Sequence, residues 1–182
     1  MILLIIKALH TNKIELYHSQ ICTRKVIGYG TQVHAWGCYS RNGVEILKRI
    51  RGNMNSTVYQ DILTNEINLI DKCLVFPRRS FLFQHDNTPC HWSASTVSFL
   101  EDYNICLLDW PVNSPDANPI ENLWHIIKSK INTLGPLNAE EMWSEIQNIW
   151  YNIPCTICHN LVDSMPQRVE KILKMKGFAT KY

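Results

Sequence analysis

Hydrophobic residues follow two periods along this 182-residue chain, near-continuous short runs in the first half and a helical stripe in the second. The opening MILLIIK is an unbroken apolar run and predicts a strand. It is too short to span a bilayer, and it lacks the basic start and small-residue cleavage site of a signal peptide. Residues 2–7 and 13–17 are predicted to pair as a hairpin around His10–Asn12. Val33–Ser40 and Gly43–Ile50 are stronger strand candidates, with Asn42-Gly43 between them as a hairpin signal. Asn55, Ser56 and Thr57 supply N-cap chemistry, and Val58, Tyr59, Ile62, Leu63, Ile67 and Ile70 continue at helical spacing to about Asp71. After Pro77-Arg78-Arg79, the run Phe81–His85 reads as a short buried strand.

Ser93–Tyr103 predicts a helix, Ile105–Leu108 a short strand, and Trp110–Pro119 a loop with three prolines. Asn118 and Pro119 mark the start of a helix carrying Ile120, Leu123, Trp124, Ile127 and Ile131 on one core-facing stripe. Gly135-Pro136 interrupts the chain. A further helix starts near Asn138, where Glu141 completes a capping box. Its apolar positions are Met142, Ile146, Ile149, Trp150 and Ile153, and Pro154 ends it. Two short helices follow, split at Pro166, with Gly177 as a C-cap. Strands first and helices later predict an α+β or α/β domain with a mixed sheet.

Composition adds little to that picture. Hydrophobic content of 46% and charged content of 19% suit a globular protein with one core. The charge distribution adds more than the net +2. Residues 1–51 hold eight Lys/Arg and two Glu, whereas the rest hold ten against fourteen acids. A basic end against an acidic centre suits a nuclease-like site, and equally an uneven solvated surface. Seven scattered cysteines, an odd number without a secretory signal, read as reduced thiols of an intracellular protein.

Two acids sit where predicted elements end or begin. Asp86 closes the Phe81–His85 strand, and Glu121 falls in the first turn of the Asn118–Pro119 helix. A strand-end and a helix-start carboxylate can converge on a divalent cation, because hard ions such as Mg²⁺ take oxygen ligands. Each also has a plainer role. Asp86 can cap the turn Asp-Asn-Thr-Pro, and Glu121 can reach back to the backbone of an Asn118 cap. Cys155-Thr-Ile-Cys158-His159 matches the c-type haem attachment pattern C-x-x-C-H. It is a short pattern deep in a chain without an export signal, so no haem is expected, and no further zinc ligands lie nearby.

The residues then go beyond pattern. FLFQHDNTPCH, followed by WPVNSPDANPIENLWHIIKSKI, resembles the catalytic core of the Tc/mariner superfamily of DNA transposases. The 34 residues between Asp86 and Glu121 match the spacing of its Tc branch. VHAWGCYSRNGVEILKRIRGNMNSTVYQDIL upstream and LVDSMPQRVEKILKMKGFATKY downstream extend the resemblance over 24–182, leaving 1–23 as an unmatched amino-terminal segment.

The resemblance implies an α/β, RNase H-like mixed sheet flanked by helices, with the first strand missing or replaced. It implies two Asp and one Glu holding Mg²⁺ or Mn²⁺ for cut-and-paste transposition, with Asp86 as the second Asp and Glu121 as the Glu, both metal ligands. It implies DNA as partner, a possible homo-oligomer, no membrane, and a nuclear location. The family's first Asp stands at the end of the first strand, but residues 1–23 contain no Asp and only Glu15 as an acid. The end-reading helix-turn-helix domains are also missing. Cys90 and Trp92 replace a Lys and a small polar residue usual in the family. The chain therefore reads as an amino-terminally truncated transposase, inactive alone. The rival readings are a non-catalytic module that binds DNA or intact transposase, and a small haem or redox protein.

Overall fold

Strand β2 (His34–Ser40) shows why the sheet is buried on both sides. Side chains alternate across a strand, and here both sets are buried. Ala35 and Tyr39 enter one core with Leu123, Trp124 and Trp150. Trp36 and Cys38 enter another with Tyr59, Leu63, Phe83 and Leu100. The molecule, a computed structural model, is described over residues 2–10, 31–72, 81–86, 88–108, 118–135 and 137–174.

Four strands form one sheet in the order β3-β2-β1-β4. Strand β1 (Ile2–His10) lies in the middle, antiparallel to β2 and parallel to β4 (Phe81–His85). The opening apolar run is a strand, as its pattern predicts; it pairs with β2 and extends to His10. Residues 13–17, the second half of the expected hairpin, lie outside the described residues. Strand β3 (Gly43–Ile50) pairs antiparallel with β2. The hairpin turn sits one residue earlier than the Asn42-Gly43 signal suggests. Ser40 pairs with Gly43 and leaves Arg41-Asn42 as the turn, while Gly43 takes φ +148°, where a side chain is strained.

Helix α1 (Ser56–Lys72) starts under Asn55, whose Oδ1 accepts from the Val58 N–H at 2.9 Å. Helix α2 (Ala94–Asp102) is capped by Ser93 and ends with Asn104 at φ +50°. The Asn104 N–H donates to Glu101 O and the Ile105 N–H to Leu100 O, a Schellman closure that satisfies the last carbonyls. The expected strand Ile105–Leu108 is only a single bridge, Phe83 to Leu107. Two main-chain bonds hold it, Phe83 N to Cys106 O and Leu108 N to Phe83 O, and no ladder continues from them among the described residues.

Helices α3 (Ile120–Ile131), α4 (Ala139–Tyr151), α5 (Cys155–Asp163) and α6 (Met165–Lys174) complete the described chain. The α3 stripe is buried at Ile120, Leu123, Trp124 and Ile127, as its period predicts. The α4 capping box of Asn138 and Glu141 is present. The break between α5 and α6 falls at Ser164 rather than Pro166, which lies in the first turn of α6, where a missing N–H costs no helical bond. Gly177 lies outside the described residues. Rings of Trp124 and Trp150 stack at 5.1 Å over Gly37. A Cβ on Gly37 would meet Trp124 at 2.9 Å and Trp150 at 3.1 Å, so only glycine lets the pair rest on β2.

Candidate active site

Asp86 follows directly on β4, where the chain leaves the sheet. Its Oδ1 accepts from the Thr88 N–H at 3.0 Å and from the Thr88 hydroxyl at 2.5 Å, so the turn-capping role is real. The same oxygen meets Nδ1 of His91 at 2.8 Å, and that nitrogen also lies 3.2 Å from the Asp86 carbonyl. His91 is held in place by its N–H bond to Thr88 O. Its ring lies over Tyr59 at 4.1 Å and stacks within 6° of parallel on His85 at 5.1 Å. The Tyr59 hydroxyl and His85 Nδ1 share a 3.1 Å hydrogen bond. Trp92, partly exposed, covers His85 at 5.2 Å.

This packing drives the two imidazoles apart in basicity. Burial alone would push His91 down, but the hydrogen bonds and charges of Asp86 and Cys90 together outweigh it and carry the group up to about 9. Burial, and then the charge on His91, bring His85 down to about 3. Burial would raise Asp86, yet the bonds from His91 and Thr88 prevail and hold its carboxyl well below the usual carboxylate range. At neutral pH the site therefore contains a carboxylate, an imidazolium against it, and a neutral imidazole behind. Tyr59 is kept protonated by burial and by the nearby Asp86 charge.

Glu121 lies half-buried in the first turn of α3, between buried Ile120 and Leu123. The side chain of Asn118 does not cap this helix. The turn closes through main-chain bonds from Glu121 N to Asn118 O and from Asn122 N to Pro119 O. Next to Glu121, Asn122 Oδ1 accepts from Nη2 of Arg168 at 3.0 Å. Arg168 is buried and also donates from Nε to the Ser164 hydroxyl, so α6 is pinned to the first turn of α3.

Leu82 packs with the α3 side of the core and Phe83 with the α1–α2 side. Asp86 lies one residue past β4, and its carboxylate meets His91, whose ring packs on Tyr59 of α1. Among the described residues no three His, Cys, Asp or Glu groups cluster as a metal site.

Sequence reasoning missed His91, Tyr59 and Arg168. A histidine five residues after Asp86 was the available signal for the first, and nothing local marked the other two. In C-x-x-C-H, His159 Nε2 contacts Asp163 Oδ2 at 2.9 Å and also meets Arg41, while Cys155 and Cys158 are free thiols.

The family model for DDE superfamily endonucleases matches residues 19–151. The Tcb2 transposase of Caenorhabditis briggsae is 37% identical over 153 residues, 84% of this chain and 55% of the relative. The Tc1 transposase of Caenorhabditis elegans is 36% identical over the same shares. The chain thus spans about half the length of these curated relatives. The catalytic domain of Mos1 transposase superposes with a TM-score of 0.80 at 17% identity, covering 98% of this chain and 85% of that one. That likeness gives the mixed sheet and its helices an RNase H-like fold, and the chain belongs to the DDE superfamily endonucleases as a Tc/mariner transposase catalytic domain.

Proposed function

We propose that Asp86 and Glu121 are the second Asp and the Glu of a three-acid DNA-cutting site, and that this chain as it stands binds DNA without cutting it. The observation that carries the second half is the register of β1. Ile6 pairs with His85, the residue just before Asp86, in the last pair of the parallel β1–β4 ladder. The strand ILLIIKALH contains no Asp or Glu. In the resembling family the first Asp stands at the end of the first strand.

Asp86 and Glu121 would hold Mg²⁺ or Mn²⁺, and Mos1 catalytic-domain structures are described with both metals. Such an ion, when bound, supplies charge that activates a water or 3′-hydroxyl and steadies the leaving oxygen. Asp86 contributes a carboxylate kept ionised by His91 and Thr88. Glu121 contributes a second from a helix pinned by Arg168. With no acid offered by β1 to bridge ions, the pair would give a weak site.

DNA as partner is supported by the relatives' transposase names and by Mos1 complexes with transposon ends. Here it would rest on Lys/Arg contacts to phosphate, with little sequence preference. Lys128 and Lys130 are exposed at the end of α3 and are suited to that role.

The test is incubation with supercoiled plasmid and Mn²⁺, beside a filter-retention assay at stepped salt. No nicking is expected, and retention should fall steeply with salt. Nicking that disappears in Asp86→Ala would refute the inactive reading. Retention insensitive to salt would refute the phosphate-contact reading.

A further inference from the structure

We propose that Cys155 and Cys158 form a reversible redox pair, in which hydrogen peroxide joins the two thiols as a disulfide within the first turn of α5. Neither residue belongs to β4 or α3, which carry the candidate acids, and the inference does not depend on the DNA reading.

The geometry is that of one helical turn. Cys155 is the first residue of α5, directly after the N-cap Pro154, and it is exposed. Cys158 lies three residues on and is fully buried, in one core with Tyr39, Leu161 and Val162. Three residues of α-helix separate Cα atoms by about 5 Å, within the window that a disulfide accepts. The two thiols also feel each other. Burial, and then the charge of Cys155, push the Cys158 thiol up to about 11.

The other described thiols sit elsewhere. Cys38 belongs to the core on the opposite face of the sheet, Cys90 lies in the loop before α2, and Cys106 stands beside the Leu107 bridge. On its inner side Cys155 faces the β2–β3 turn, its Cβ 3.8 Å from where a Gly43 Cβ would stand.

An exposed thiol one turn from a buried one divides the labour. Cys155, as thiolate, attacks one peroxide oxygen. The O–O bond breaks, hydroxide leaves and is protonated to water, and a sulfenic acid remains. Cys158 then attacks that sulfur. The S–O bond breaks, and the second oxygen departs as water with the Cys158 proton. Two thiols lose two electrons and peroxide becomes two waters. Cys158 must turn out of the core to reach Cys155, so the bond is strained and easily reduced again. Its formation loosens α5 where that helix packs on β2 and β3.

The sequence supplies a clean readout. Between Lys130 and Arg168 there is no Lys or Arg, so trypsin releases one peptide with Cys155 and Cys158 as its only cysteines. The full chain is treated with hydrogen peroxide, alkylated with N-ethylmaleimide and digested. The expected peptide takes up no label and is lighter by two hydrogens, and dithiothreitol before alkylation restores two labels. In Cys158→Ser, Cys155 should be trapped by dimedone as sulfenic acid. Cys158→Ala serves the same purpose if the serine variant does not fold. A peptide that keeps both labels at peroxide levels that oxidise Cys106 would overturn the proposal. So would Cys155 bonded to any other cysteine, or carried to sulfinic acid in the unsubstituted chain.

Discussion

Replacing His91 with glutamine removes the positive partner of Asp86 while leaving a polar side chain of similar reach. His91 is 1% exposed and Asp86 19%, so solvent screens their contact little. The rise of His91 from 6.5 to about 9 corresponds to about 3 kcal/mol of folding stability. Removing one partner of a buried pair costs about 3–5 kcal/mol. The lower figure applies here, because Thr88 still donates twice to Asp86.

The sign follows from linkage. His91 has a folded value above its unfolded one, so its contribution is complete below 6.5 and is lost as pH rises through about 9. Asp86 is depressed, so its contribution is present above 3.8 and is lost as pH falls through the lower folded value. Urea unfolding followed by tryptophan fluorescence, in steps from about pH 5 to about pH 10, compares the chain with His91→Gln. The variant should be less stable by about 3 kcal/mol near pH 6, and the gap should close at about 1.4 kcal/mol per pH unit above the unfolded value. Parallel stability curves across that range would show that His91 carries no charge in the fold.

Gly37→Val should cost at least about 2 kcal/mol, because the new Cβ alone enters the Trp124 and Trp150 rings. Near-ultraviolet circular dichroism should lose the stacked-indole signal. Asn138→Ala removes the side-chain half of the α4 capping box, the oxygen that accepts from the Glu140 and Glu141 N–H groups, and should lower stability by about 1 kcal/mol, read by thermal unfolding. Arg168→Leu strips donors from Asn122 and Ser164 and should cost about 1–3 kcal/mol. Amide exchange should then speed up in α6 and in the first turn of α3 while β2 stays protected.

The layers were legible because each rests on a local period. The α3 stripe named its own buried residues. The Asn138 capping box needs only residues three apart, and it formed as read. Errors arose where neighbours decide. Ile105–Leu108 has strand composition, but it meets β4 only around Phe83, through the Leu107 bridge and its two flanking main-chain bonds. Pro166 suggested a break, yet proline is compatible with a first helical turn, so the true break moved to Ser164. The candidate site was half legible. Asp86 and Glu121 stand at element ends, which turn and cap residues announce. The His91–His85–Tyr59 stack joins α1 to β4 and its following turn, and no spacing in the sequence encodes that meeting.

Strand β1 separates what a fold requires from what a reaction requires. Sheet pairing uses backbone groups, so any apolar, strand-forming run can occupy the middle position between β2 and β4. The opening ILLIIKALH does so over nine residues and completes both ladders. A likeness to the Mos1 catalytic domain at a TM-score of 0.80 is compatible with any side chains on that strand. On the reading proposed above, catalysis asks for much less backbone and much more chemistry: one carboxylate level with Asp86. On that reading a single strand uncouples the two: β1 serves the sheet through its backbone, while its sequence offers no Asp or Glu to the chemistry.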